Sequence, residues 1–263
     1  MDLSSYRVFL LDMDGTIYLG DRLFADTPAF LSRLRDTGRN LVFLTNNSSR
    51  SSTAYLRKLR KMGVNASPEE VFTSGDATIQ KLLAEQPGAT VYLLGTRSLR
   101  HSFMQAGFRM WSEKDAAPPD YLILGFDTTI NYHKLTLACR LAAAGVPYIA
   151  THPDFNCPVP GGFIPDAGAM AAFIEASTGK RPLVIGKPES GIVEALIARH
   201  NWRKEELVMV GDRLYTDIAL GKNAGIASIL VYTGETSREE YEAQDRYKPT
   251  WAVNGIGDLI PYL

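Results

Sequence analysis

Asp12 and Asp14 stand one residue apart in the stretch Arg7 to Thr16, R-V-F-L-L-D-M-D-G-T, directly behind four apolar residues, Val8 to Leu11. Side chains alternate along an extended segment, so the two carboxylates can point the same way while Met13 turns to the other side. Two carboxylates that close resist joint ionisation unless a cation or a shared proton relieves them. A second acidic pair, Asp212 and Asp217, follows the apolar run Leu207 to Val210. With no His or Cys beside them, these four aspartates are hard oxygen donors that suit Mg²⁺ rather than zinc. Thr45 ends another apolar run, and Lys187 lies on the turn Gly186-Lys187-Pro188. A hydroxyl and a positive charge suit phosphoryl oxygens and not a metal. A site combining Mg²⁺, a nucleophilic carboxylate and a lysine is equipped for phosphoryl transfer. The plainer alternatives are that Asp12 and Asp14 only end a strand, that Asp217 caps the next helix, and that Lys187 is a surface charge.

The elements behind these residues decide whether they can meet. A short, uniformly apolar run is a strand buried on both faces, as in the middle of a parallel sheet. Ligands of such sheets bind outside the carboxyl ends of the strands. Val8–Leu11, Leu41–Leu44 and Leu207–Val210 read as such strands, and Leu183–Ile185 leads to Lys187. Between the first two, Thr27-Pro28 starts a helix with Thr27 as its cap, and Gly38 stops it. A strand–helix–strand crossover makes its strands parallel, so their polar ends share an edge. Ser51 and Ser52 open a further helix, whose basic residues Arg57, Lys58, Arg60 and Lys61 read as a solvated face. Residues 80–180 carry their own strands and helices without paired carboxylates, which reads as a second α/β unit. Its loop Thr151–Gly168 is expected to be irregular, with four prolines and three glycines, and offers His152, Asp154 and Asp166 as polar probes. The Thr233-Gly234 turn and the last thirty residues read as the tail of the sheet rather than a site.

Composition narrows the class. The chain has 263 residues, 45% hydrophobic and 22% charged, with a net charge of −1, so no global field favours nucleic acid or an anionic membrane surface. Neither a signal peptide nor an apolar run long enough to span a bilayer is evident. Cys139 and Cys157 have no metal-ligand spacing, and they read as a buried thiol and a loop thiol, both of which suit a reducing cytoplasm. The expectation is a cytoplasmic protein.

D-M-D-G-T, the apolar strand into Thr45-Asn46, the Gly186-Lys187-Pro188 turn and G-D-x-x-x-x-D at Asp212 and Asp217 resemble, in order, the four motifs of the haloacid dehalogenase superfamily. The length between the second and third motifs resembles the class II cap. The details are closest to subclass IIA, the NagD-like, para-nitrophenyl and pyridoxal phosphate phosphatases. The resemblance spans essentially the whole chain, and His152 departs from the Asn or Asp expected at its position. It implies an α/β fold: a Rossmann-like, doubly wound parallel sheet core over 1–79 and 181–263, with an inserted α/β cap over 80–180. It implies a phosphatase acting on a small phosphorylated metabolite, with the cap as a lid, and not on a nucleic acid polymer or at a membrane. Asp12 would attack phosphorus and Asp14 would serve as acid and then base. Mg²⁺ would be held by Asp12, the Asp14 carbonyl and Asp212, with Asp217 completing or orienting the set. Thr45, Asn46 and Lys187 would hold the transferring oxygens, with an amide contact from Asn47. Two rival readings stand beside the phosphatase: a phosphotransferase or phosphomutase on the same core, and a receiver-type signalling module phosphorylated on Asp12. Substrate identity stays open, as does a homodimer through exposed cap surface.

Overall fold

The computed structural model describes residues 1–159 and 161–263; Pro160, inside the loop expected over 151–168, lies outside the described residues. Val8–Leu11 is buried at every position, and it runs between Asn40–Thr45 and Leu207–Gly211 with both neighbours parallel. Leu11 is in register with Phe43 on one side and Val210 on the other. The whole sheet has six strands, in the order Trp251–Val253, Ala227–Val231, Leu207–Gly211, Val8–Leu11, Asn40–Thr45, Val71–Thr73. The chain leaves Val8–Leu11 toward one edge and returns on its other side, which makes the carboxyl end of this strand a topological switch point.

Contacts divide the chain into two units: residues 1–45, 52–72 and 187–263 form the first, and 46–51 with 73–186 form the second. Helices of the first unit pack by their apolar stripes. Thr27–Asp36 buries Phe30, Leu31 and Leu34, and Ser52–Lys61 buries Tyr55, Leu56 and Leu59, against Phe9, Leu11, Phe43 and Val208. Asp26, not Thr27, is the N-cap residue of Thr27–Asp36. The Thr27 hydroxyl is taken elsewhere, donating to the Ile17 carbonyl at 2.6 Å.

The second unit holds a five-stranded parallel sheet, ordered Leu183–Val184, Tyr148–Ala150, Tyr121–Leu124, Thr90–Leu94, Arg109–Met110. Its core is built on Leu94, Leu122, Leu124, Ala138, Leu141 and Ile174. Two expectations change here. The strand ahead of Lys187 does not return to the first sheet; Leu183 pairs with Ile149, and Lys187 is the first residue back in the first unit. An apolar run says that a segment is extended, and a two-residue edge strand says nothing of which sheet it edges. The 151–168 loop is not irregular throughout either: Asn156–Val159 and Gly162–Pro165 pair as an antiparallel hairpin. A two-stranded hairpin consists only of edges, and edges tolerate proline. Among the described residues no helix is long and apolar enough to cross a membrane.

Candidate active site

The backbone N–H of Asp12 donates to the Val210 carbonyl at 2.9 Å, so the aspartate lies at the sheet edge beside Gly211 and Asp212. Lys187 Nζ donates to Asp12 Oδ1 at 2.5 Å and to Asp217 Oδ1 at 2.6 Å. The other Asp217 oxygen accepts from the Arg213 N–H at 3.1 Å. Lys187 and Asp217 are both buried. Asp12, Asp212 and Asp217 each present a carboxylate oxygen within 4.8 Å of the others. The parallel register brings Asp12 and Asp212 together, because adjacent strands end at one level, and the helical turn Leu214–Ile218 carries Asp217 back to them. Thr45 ends the adjacent strand on the other side of Val8–Leu11 and is half-buried. Asp14 is exposed, and its Oδ1 accepts from the Gly20 N–H at 3.4 Å.

The turn after Ala227–Val231, expected to be only the tail of the sheet, supports this cluster. Glu235 N–H donates to Asp212 Oδ2 at 2.7 Å, and Thr16 Oγ1 donates to Asp212 Oδ1 at 3.3 Å. Thr233 Oγ1 donates to the Gly15 carbonyl at 2.6 Å, tying the two turns together. Gly15 holds φ at 93°, and a Cβ there would come 2.5 Å from Asp212 Oδ2; a Cβ on Gly234 would overlap the same carboxylate. The signal for this turn was present in the sequence, since Ser228–Tyr232 is one more apolar run of the same sheet and must end at the same edge.

The remaining expected residues are brought together within the second unit. Asn46 Nδ2 donates to Asp154 Oδ2 at 3.2 Å. His152 has no solvent exposure; its Nε2 meets Asp166 Oδ1 at 2.9 Å and its Nδ1 meets Thr151 Oγ1 at 2.9 Å. Asp166 also accepts from the Ala167 N–H at 2.6 Å as the N-cap of Ala167–Thr178. Asn47 Oδ1 accepts from Ser49 N–H and Oγ, and its Nδ2 faces Cys157 Sγ at 3.8 Å. His152 and Asp166 thus brace the loop, while Asp154 is half-buried beside Asn46.

Comparison with known proteins agrees with this geometry. The profile described as haloacid dehalogenase-like hydrolase matches residues 9–109, and a second HAD-hydrolase-like profile matches residues 184–259. A 5'-nucleotidase of Bacillus subtilis is 34% identical over 261 residues, covering 99% of this chain and 100% of its own. An acid sugar phosphatase of Staphylococcus haemolyticus is 35% identical over 261 residues, 99% of this chain and 98% of its own. This chain is a haloacid dehalogenase-like hydrolase. The crystal structure of 4-nitrophenylphosphatase from Thermotoga maritima superposes with a TM-score of 0.94 at 45% identity, covering 98% of both chains. A p-nitrophenyl phosphatase from Archaeoglobus fulgidus does so with a TM-score of 0.92 at 29% identity, over 98% of this chain and 99% of that one.

In this hydrolase the cluster carries more negative charge than Lys187 can balance. Burial first, and then the Asp12 and Asp217 charges, push the Asp212 carboxyl up to about 8. Burial likewise raises Asp217, against the opposing pull of Lys187. Burial alone would lower Lys187, but Asp12 and Asp217 outweigh it and hold the ammonium above its ordinary value. Three carboxylates in mutual reach, two of them bonded to Lys187 and all hard oxygen donors, fit a divalent cation.

Proposed function

We propose that this hydrolase is a Mg²⁺-dependent phosphatase that cleaves a small-molecule phosphomonoester through an aspartyl-phosphate on Asp12. The observation that carries the reading is the cluster of Asp12, Asp212 and Asp217 at the switch point, with Lys187 bonded between Asp12 and Asp217. Relatives named for 5'-nucleotide, sugar phosphate and nitrophenyl phosphate hydrolysis support the substrate class.

The Asp12 carboxylate attacks phosphorus, and the bond to the leaving oxygen breaks as the acyl phosphate forms. Asp14 gives that oxygen its proton, then takes one from the water that attacks phosphorus and restores Asp12. Lys187 keeps the nucleophile in place and sets a positive charge beside the transferring oxygens, where positioning and charge do most of the catalysis. Thr45, Asn46 and Asn47 are assigned to those oxygens as hydroxyl and amide donors. Asp12, the Asp14 carbonyl and Asp212 would hold Mg²⁺, with Asp217 orienting the set, and the ion would neutralise charge on the phosphoryl group. The second unit is assigned substrate selection, with Asp154 as its offered polar group. The absence of a disulfide between the two cysteines, Cys139 and Cys157, supports a reducing cytoplasm as the location.

Phosphate release from a panel of nucleotides, sugar phosphates and p-nitrophenyl phosphate, with Mg²⁺ or with chelator, tests this. Release should require Mg²⁺, proceed without an added alcohol, and disappear in Asp12→Asn. Release that survives either the chelator or Asp12→Asn contradicts it.

A further inference from the structure

Helix Ser52–Lys61 ends in a basic cluster, and Arg57, Arg60 and Lys61 are exposed on its outer face. Lys58 behaves differently. Only 21% of its side chain is accessible, its Nζ lies 4.1 Å from the centroid of the Tyr18 ring, and the same Nζ is 3.7 Å from Asp21 Oδ1. Tyr18 is itself buried, on the hairpin that pairs Tyr18–Leu19 with Arg22–Leu23.

That hairpin grows directly out of the D-x-D segment. The Tyr18 carbonyl accepts from the Gly15 N–H at 2.8 Å, and the Tyr18 N–H donates to the Met13 carbonyl at 3.3 Å. Its turn then reaches back, Gly20 N–H to Asp14 Oδ1. The hairpin is therefore held at its turn by both residues, by Asp14 at Gly20 and by Lys58 at Tyr18 and Asp21. Burial chiefly, and then the neighbouring Asp14, Tyr55, Asp12 and Asp21, raise the Tyr18 phenol, so the ring that Lys58 covers stays neutral. A cation over an aromatic face holds best when partly desolvated, as Lys58 is, whereas its pairing with the exposed Asp21 adds little alone.

We propose that Lys58 is a positioning residue for Asp14, clamping the Tyr18–Leu23 hairpin so that the Asp14 carboxyl is presented to the leaving oxygen. This rests on the acid role assigned to Asp14 above, and the test separates the two.

The experiment compares kcat/KM for p-nitrophenyl phosphate, whose phenolate departs without a proton, and for glycerol phosphate, whose alkoxide needs one. Lys58→Met should lower kcat/KM about tenfold on glycerol phosphate and stay within about twofold on p-nitrophenyl phosphate, as expected for a misplaced acid. Lys58→Arg keeps a cation over the ring and should recover most of the loss. Equal loss on both substrates, no loss on either, or no recovery in Lys58→Arg overturns the proposal. Asp14→Asn is measured alongside. If it lacks the same leaving-group selectivity, the acid assignment is what has failed; if it shows it and Lys58→Met does not, only the role of Lys58 falls.

Discussion

Lys187 bonds two carboxylates, Asp12 and Asp217, from a position with almost no water around it. Removing one partner of a buried ion pair leaves the other charge uncompensated, so Lys187→Met should destabilise the protein by about 3–5 kcal/mol, read as a lower urea midpoint. The glycines around Asp212 act the opposite way, by what they leave out. Gly234→Ala would displace the Asp212 carboxylate, and the Mg²⁺ concentration for half-maximal activity should rise about tenfold while the urea midpoint moves little. An unchanged Mg²⁺ requirement in Gly234→Ala would mean that Asp212 is not a ligand. The aspartates and Lys187 were legible in the sequence because each is a charged residue close behind an apolar run. The place of the turn at 233–235 was legible too, from the apolar run before it, but the roles of Thr16, Gly234 and Glu235 were not. Glu235 acts through its backbone N–H and Gly234 through a missing side chain, and neither has a residue-type signature.

Strands were the most legible elements. Val8–Leu11, Leu41–Leu44 and Leu207–Val210 are continuous apolar runs because both faces of the sheet are covered, and the parallel register followed from the helices between them. The sheet to which Leu183–Val184 belongs was not legible, because membership is decided by long-range pairing, which a two-residue edge strand does not encode. The hairpin of Asn156–Val159 and Gly162–Pro165 was hidden by its prolines. His152 and Asp166 organise the ends of that segment, since the imidazole and the start of the next helix both bond Asp166 Oδ1. Asp166→Ala should therefore cost about 1–3 kcal/mol, through a lost cap and a buried imidazole whose Nε2 loses its Asp166 partner. Faster amide exchange over residues 167–178, with the exchange of Val8–Leu11 unchanged, is the expected signature.

For the molecule as a whole, the acidic cluster links stability to pH and to the cation. Asp212 is raised from its ordinary 3.8 to about 8, so between those values the folded metal-free protein keeps a proton that the unfolded chain has released. Its contribution is therefore present at the acid end of that window and lost as pH climbs through it. A divalent cation that binds only the folded state stabilises it by mass action and favours the ionised carboxylate. Thermal midpoints of chelator-treated protein should fall across this window, and saturating Mg²⁺ should flatten or reverse the fall. A slope that Mg²⁺ leaves unchanged would show that the cluster does not hold the ion.

Catalysis as proposed for this cluster requires that Asp12 itself receive the phosphoryl group. Acid-quenching the enzyme during turnover of p-nitrophenyl phosphate with Mg²⁺, and then peptide mass spectrometry, tests this directly. A phosphoryl group on the peptide containing Asp12, absent without Mg²⁺ and absent in Asp12→Asn, is the result expected. Turnover with that peptide unmodified and Asp12→Asn still active would contradict it.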